Sequence, residues 1–324
     1  MNFMEKKTGD EKTVFKWKKA AVHVAHGFSM GTANVIPGVS GGTMALVHGI
    51  YEELVNAIRS VNLEFLTCIL RFQWKKAFRI LHWRFLVPLS IGIMLAVVSL
   101  ARVVPYLLDR HRAPVCGLFF GLILASSLVL AREIQKWSAT TIVSGVLFAA
   151  GSFFLVGLLP LETPDSLWFI FVTGVVSFMA MLLPGLSGAF ILLILGKYTY
   201  ILELVQDLVY RGRIETLLPL SVFGAGCIVG ILGLARVLGY FLAKRKAETM
   251  AALGGLMLGS LRKLWPWREV TAWMEAGDKQ IPLEEANRLP SVFNTEVLVS
   301  LLLFIAGVGL VFVLERAAGN KKAE

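Results

Sequence analysis

Long runs of apolar residues alternate with short polar stretches along this chain. Six predominantly apolar runs lie near 85–108, 113–131, 140–159, 217–242, 247–264 and 295–314, the one at 247–264 weak and short. Several reach the ~20 residues an α-helix needs to cross a bilayer. Two further apolar segments, 20–57 and 166–206, are interrupted by clustered glycine and proline. The first contains "NVIPGVSGGTMALVHGIYEEL" at 34–54 and the second "LLPGLSGAFILLILGKY" at 182–198. Such a break frees backbone groups that lipid cannot satisfy, so it is tolerated only where protein or water covers it. The pattern therefore predicts an all-α polytopic membrane protein with two broken or re-entrant hairpins.

Composition strengthens this picture. Of 324 residues, 56% are hydrophobic and 17% charged, with a mean hydropathy of +0.70. The longest stretch outside the spans, 262–294, is too short for a soluble domain. The net charge of +10 is carried in short loops and at the ends, which points to membrane topology and away from nucleic acid. The N-terminal segment, with Lys6, Lys7, Lys12, Lys16, Lys18 and Lys19, is too charged for a cleaved signal peptide. Cys68, Cys116 and Cys227 have neither metal spacing nor a disulfide pattern and are expected to be packing residues. Neither a cofactor nor a metal is expected.

The chain contains a duplication. "PGVSGGTMALVHGIY" (37–51) returns as "PGLSGAFILLILGKY" (184–198), and "LARVVPYLL" (100–108) returns as "LARVLGYFL" (234–242). In this register Pro37 matches Pro184, Ser40 matches Ser187, Gly49 matches Gly196, Tyr51 matches Tyr198, Arg102 matches Arg236 and Gly121 matches Gly255. Two related halves follow: 14–160 with the re-entrant motif 34–57, and 161–316 with the motif 181–206. Tails at 1–13 and 317–324 flank them. Each half comprises a broken hairpin and three spans. Whether the hairpin re-enters or crosses fully, each half crosses an odd number of times, so the halves are inverted, as in many transporters. Bases concentrate at 59–84, 132–138, 243–248 and in the C-terminal tail, whereas 160–166 carries Glu162 and Asp165, 262–294 balances bases against acids, and Arg110 and Arg112 are exceptions on the outer side. That bias predicts both termini in the cytoplasm.

The breaks are candidate anion sites. Pro-Gly-x-Ser-Gly reverses the chain and presents free N–H groups at the start of a half-helix, and Ser40, Thr43 and Ser187 add hydroxyls. Two inverted copies are expected to face one another near the bilayer midplane. The competing reading is close helix packing through small residues, and Gly117/Gly121, Gly226/Gly230 and Gly255/Gly259 fit that reading better. Arg102 and Arg236 lie within spans, as headgroup ligands or as side chains reaching an interface. Glu52, Glu53 and His48 are candidate groups for coupling to an ion, proton or sodium, against a solvated interfacial role. His23 and His26 lie nearby, and Tyr51 and Tyr198 are expected to be interfacial anchors.

At "NVIPGVSGGTMALVHGIYE" and "LLPGLSGAFILLILGKY" the chain resembles the bacterial polyprenyl-phosphate transporter family, across roughly 15–315. The resemblance implies a multi-pass carrier in the bacterial inner membrane. Such a carrier returns undecaprenyl phosphate from the outer to the inner leaflet, for recycling in cell-envelope (peptidoglycan) synthesis. Its partners would be that lipid and the surrounding membrane, with no nucleic acid. It also implies substrate-binding roles for Asn34, Pro37, Gly38, Ser40, Gly41, Gly42, Thr43, Pro184, Gly185, Ser187 and Gly188. Two alternatives stay open: a transporter or channel for a small anion, and a membrane enzyme acting on lipid phosphates. The second lacks tools, since the sequence has no HExxH, P-loop, Asp-rich or Cys/His metal motif. The protein is thus expected not to be an enzyme.

Overall fold

The computed structural model describes residues 3–35, 39–100, 103–276, 279–290 and 292–323. The protein is a multi-pass helical membrane protein. Its first part contains α1 (Phe3–Val35), α2 (Gly41–Val47), α3 (Tyr51–Arg59), α4 (Leu63–Leu70), α5 (Trp74–Ile80), α6 (Trp83–Leu100), α7 (Val103–Arg110), α8 (Arg112–Arg132) and α9 (Ala139–Leu155). The second contains α10 (Leu167–Leu182), α11 (Gly188–Ile194), α12 (Tyr198–Arg211), α13 (Leu217–Lys244), α14 (Lys246–Leu264) and α15 (Thr295–Ala323). The segment read as an N-terminal tail is thus part of α1. Between α14 and α15 lies a two-stranded antiparallel hairpin, β1 (Arg268–Ala276) and β2 (Lys279–Asn287), which apolar periodicity did not signal.

Among the described residues, four helices are long and apolar enough to span a bilayer: Trp83–Leu100, Arg112–Arg132, Ile214–Lys244 and Thr295–Arg316. Helices α9 and α10 are apolar but shorter, at 17 and 16 residues. Val98, Phe154, Ile228, Ile305 and Val313 point outward, as side chains facing lipid do. Helix α14 carries Lys246, Glu248, Arg262 and Lys263 and falls short on hydropathy. The reason is its position: apart from Leu258, every residue from Thr249 to Leu261 is buried. A helix shielded by other helices need not be soluble in lipid.

The stretch 59–84, expected to be a loop, folds into α4 and α5. Leu63, Leu70, Phe72 and Phe78 are exposed there beside Arg71, Lys75, Lys76 and Arg79. Exposed apolar side chains among bases are the signature of helices lying on a membrane surface.

Backbone-to-backbone approach at glycine holds the helices together, because lipid is as apolar as leucine and gives no hydrophobic drive for helix association. A Cβ on Gly27 of α1 would lie 2.0 Å from the Leu89 carbonyl oxygen of α6, and one on Gly92 would lie 2.0 Å from that of Val24. In the second part, Gly174 of α10 meets the Phe223 carbonyl of α13 in the same way, and Gly226 meets that of Phe171. In the register of the repeat these are the same two contacts. The glycine pairs expected to be packing sites behave as such. Gly117 and Gly121 of α8 abut the Ser300 and Phe304 carbonyls of α15, and Gly255 and Gly259 of α14 abut those of Gly145 and Ala149 on α9. The last two contacts join the halves. Helix α9 packs on α14, α15 on α8, and α8 touches α14. The first and second parts of the chain are therefore interlocked.

Candidate functional site

Both breaks fold as helical hairpins. Helix α2 runs back along α1: Asn34 lies beside Gly41, while farther down the pair the His48 ring stacks on His26, with centroids 4.6 Å apart. His48 Nε2 is 2.5 Å from Ser29 Oγ, and the His23 ring lies edge-on to His26. Helix α11 likewise runs back along α10. Its Ile194 carbonyl accepts from the Leu161 N–H at 2.8 Å, and its Leu195 carbonyl from Thr163 Oγ1 at 2.6 Å. Both half-helices end alike. Gly49 and Gly196 take left-handed backbone at φ +67° and +64°, a conformation glycine adopts at no steric cost. The chain then turns into α3 or α12; α11 and α12 meet at 108°.

The two hairpin tips meet inside the protein. The Gly185 N–H donates to Thr43 Oγ1 at 2.8 Å, and Ser40 Oγ donates to the Met181 carbonyl at 3.1 Å. Gly42 lies so close to the Leu182 carbonyl that a Cβ would approach its oxygen to 2.7 Å. Tyr51 donates to the same carbonyl at 3.2 Å. Tyr51 is therefore no interfacial anchor: the Gly49 turn tucks it beneath the second hairpin, where it is 2% exposed, whereas Tyr198 is 45% exposed. On the far side Gly185, at φ +81°, leaves no room for a side chain against Leu256, Met257 and Ser260 of α14.

Of the residues expected to bind substrate, Ser40, Gly41, Gly42, Thr43, Pro184, Gly185 and Ser187 are buried, and Asn34 and Gly188 are half-buried. Pro37, Gly38 and Arg102 lie outside the described residues. The start of α2 is closed on itself. Gly41 N–H donates to Asn34 Oδ1 at 2.7 Å and Gly42 N–H to Ser40 Oγ at 3.1 Å, so the amides expected to be free have partners in this conformation. The second break differs. Ser187 makes no capping hydrogen bond, and the buried Ser177 hydroxyl, on the turn of α10 packed against Gly188, has no hydrogen-bond partner.

Other expected residues lie away from the tips. Arg236 is exposed and donates to the Leu232 and Val61 carbonyls at 2.9 and 3.0 Å, joining α13 to the end of α3. Glu52 pairs with Lys246 at 2.6 Å and Glu53 is exposed. Sequence reading missed Ser177, Lys263 and Lys197. Lys263 Nζ lies 5.1 Å from the centroid of Phe190 in α11. Lys197, between α11 and α12, is 2% exposed. Only its place beside the repeated Gly-x-Tyr, where the first half has Ile50, could have marked it. Among the described residues, no group of three His, Cys, Asp or Glu is arranged to hold a metal.

A family model described as undecaprenyl phosphate translocase-like matches residues 30–281. A polyprenyl-phosphate transporter of Vibrio cholerae serotype O1 is 35% identical over 302 residues, covering 90% of this chain and 95% of that protein. A polyprenyl-phosphate transporter of Staphylococcus aureus is 30% identical over 264 residues, covering 78% and 87%. No solved structure matches the chain.

Proposed function

Because the chain belongs to the undecaprenyl phosphate translocase-like family, we propose that it carries a polyprenyl phosphate, undecaprenyl phosphate in particular, between the leaflets of the bacterial inner membrane. The observation that carries this reading is the meeting of the two hairpin tips through Thr43 with Gly185 and Ser40 with Met181. The phosphate passes through this junction while the isoprenoid tail stays in lipid. An anionic headgroup crossing hydrocarbon unpaired loses several kcal/mol of solvation. Hydroxyls and backbone N–H groups at the junction replace that water. When the hairpins part, Ser40, Thr43 and the Gly185 N–H exchange their bonds with one another for bonds to phosphate oxygens. Net movement runs from the outer to the inner leaflet, returning carrier lipid to envelope synthesis, with a proton or sodium gradient as the drive and Glu52, Glu53 or His48 as coupling groups. The chemistry is transport and not catalysis.

The two halves are inverted, with both termini in the cytoplasm. The equivalent contacts Gly27–Leu89 and Gly174–Phe223 support the duplication, and the Lys/Arg bias supports the orientation. Single cysteines at positions 162 and 280 should label from the periplasm, and those at 76 and 245 from the cytoplasm. The native cysteines, all buried, give a quiet background. Labelling of 76 and 162 from one side would refute the topology.

Transport itself is tested in proteoliposomes by following the leaflet accessibility of labelled undecaprenyl phosphate under an imposed pH or sodium gradient. Flux of small anions without lipid exchange would instead make the protein an anion channel, and phosphate release from the lipid would make it an enzyme. Ser40→Ala removes a hydroxyl bond worth about 0.5–1.5 kcal/mol and should weaken substrate binding while the fold persists. Arg102 and Arg236 act at the two mouths in this reading. Arg236→Lys should keep part of the activity and Arg236→Gln little, because lysine retains charge without the guanidinium fork. A near-normal rate for Arg236→Gln, normalised to membrane abundance, would reduce this arginine to a tether between α13 and Val61.

A further inference from the structure

Lys197 is the one charged side chain among the described buried residues. Its ammonium donates to the Thr163 carbonyl at 2.8 Å and pairs with Asp165 Oδ1 at 2.5 Å. The rings of Phe169 and Tyr200 lie 5.8 and 5.4 Å away. A charge held away from water needs a partner, and the partner here is lopsided: the lysine side chain is 3% exposed and that of Asp165 is 64% exposed. The ammonium is fixed inside by a carbonyl and two aromatic faces, while the carboxylate sits at the surface and can swing into water. If Asp165 leaves, Lys197 keeps its carbonyl and its rings and presents an unneutralised charge to whatever anion enters.

We propose that Lys197 is a receiving site for a phosphate monoester headgroup, and that the Asp165 carboxylate holds its place when no lipid is bound. This rests on the polyprenyl-phosphate reading above. The location suits the role. Lys197 lies just past the Gly196 turn that ends α11, so one seven-residue half-helix, roughly 10 Å at 1.5 Å per residue, separates that turn from Ser187 at the tip. Lys263 stands over Phe190 along that same half-helix, adding a second cation between the two points. With 160–166 on the outer face, a headgroup arriving from the outer leaflet meets Lys197 before it reaches the junction. A phosphate monoester brings up to two charges and three acceptor oxygens where Asp165 brings one charge, so it displaces the carboxylate. The competing role is a pin: Lys197 would merely fasten 161–165 over the end of α11, beside the bonds from Leu161 and Thr163.

Binding of radiolabelled farnesyl phosphate to the purified full chain in detergent separates the two, with farnesol as the uncharged control and inorganic phosphate as competitor. Asp165→Asn should tighten farnesyl phosphate binding up to about fivefold, since it removes a partly exposed competing ion pair. Lys197→Gln should weaken it about tenfold or more, and Lys197→Arg should retain most of it. Farnesol binding should not change in any variant. A pin predicts that Asp165→Asn and Lys197→Gln weaken binding together and lower the melting temperature together; that result overturns the proposal. Should Lys197→Gln not fold, Asp165→Asn decides alone: tightening supports the site, and no change or weakening overturns it. Inorganic phosphate competing as well as farnesyl phosphate would overturn a lipid headgroup as the ligand. Wild-type protein that binds farnesol as well as farnesyl phosphate would overturn the transport reading together with this site. Wild-type preference for the phosphate that survives in Lys197→Gln would overturn the site alone.

Discussion

Gly42→Leu should abolish most transport while the protein still reaches the membrane. The added Cβ would stand 2.7 Å from the Leu182 carbonyl oxygen and 3.3 Å from Ser40 Oγ. The first obstacle is backbone of the opposite hairpin, which cannot rotate away as a side chain can. Overpacking of this kind costs roughly 1–3 kcal/mol, or about five- to a hundredfold in the population of the closed junction. The strain falls on the Ser40–Met181 and Thr43–Gly185 bonds, and so on the path assigned to the phosphate. Gly309→Leu serves as the control, because a Cβ at that exposed position of α15 meets nothing within 4 Å. Transport normalised to abundance should be lost in the first variant and kept in the second. Normal transport by Gly42→Leu would leave the breaks as packing devices.

Thr43→Val should be nearly as damaging, for a different reason. Valine keeps the shape of threonine but leaves the Gly185 N–H without its acceptor at a buried position. An unsatisfied buried donor costs about 1–3 kcal/mol, whereas the bond itself contributes less. Thr43→Ser restores an acceptor and should recover most of the loss; the small remainder is the missing methyl in a site that is 1% exposed. Melting temperature and transport should fall together in Thr43→Val, since this bond is one of those that join the two hairpins. If the valine and serine variants behave alike, the hydroxyl matters neither for joining the tips nor for binding.

These tests address residues that the sequence itself singled out, and the reason is that lipid is a demanding solvent. A span must be long and apolar, so α6, α8, α13 and α15 show in hydropathy alone. A break must be built from glycine, proline and small polar residues, so Ser40, Thr43 and Ser187 were identifiable without coordinates. The duplication was legible for the same reason, since both copies of the break obey one constraint. Hydropathy ended where apolar surfaces had to be told apart. Lipid and protein are equally good partners for leucine, so no pattern said that α9 packs on α14 and α15 on α8, or that Tyr51 turns inward to Leu182 while Tyr198 stays exposed. It also could not say that α4 and α5 fill a basic loop, because their seven- and eight-residue helices are too short for periodicity to declare. Lys197 looks like an ordinary charge beside a glycine. Only the fold, by closing 161–165 over the end of α11, removes its ammonium from water and leaves Asp165 outside to balance it.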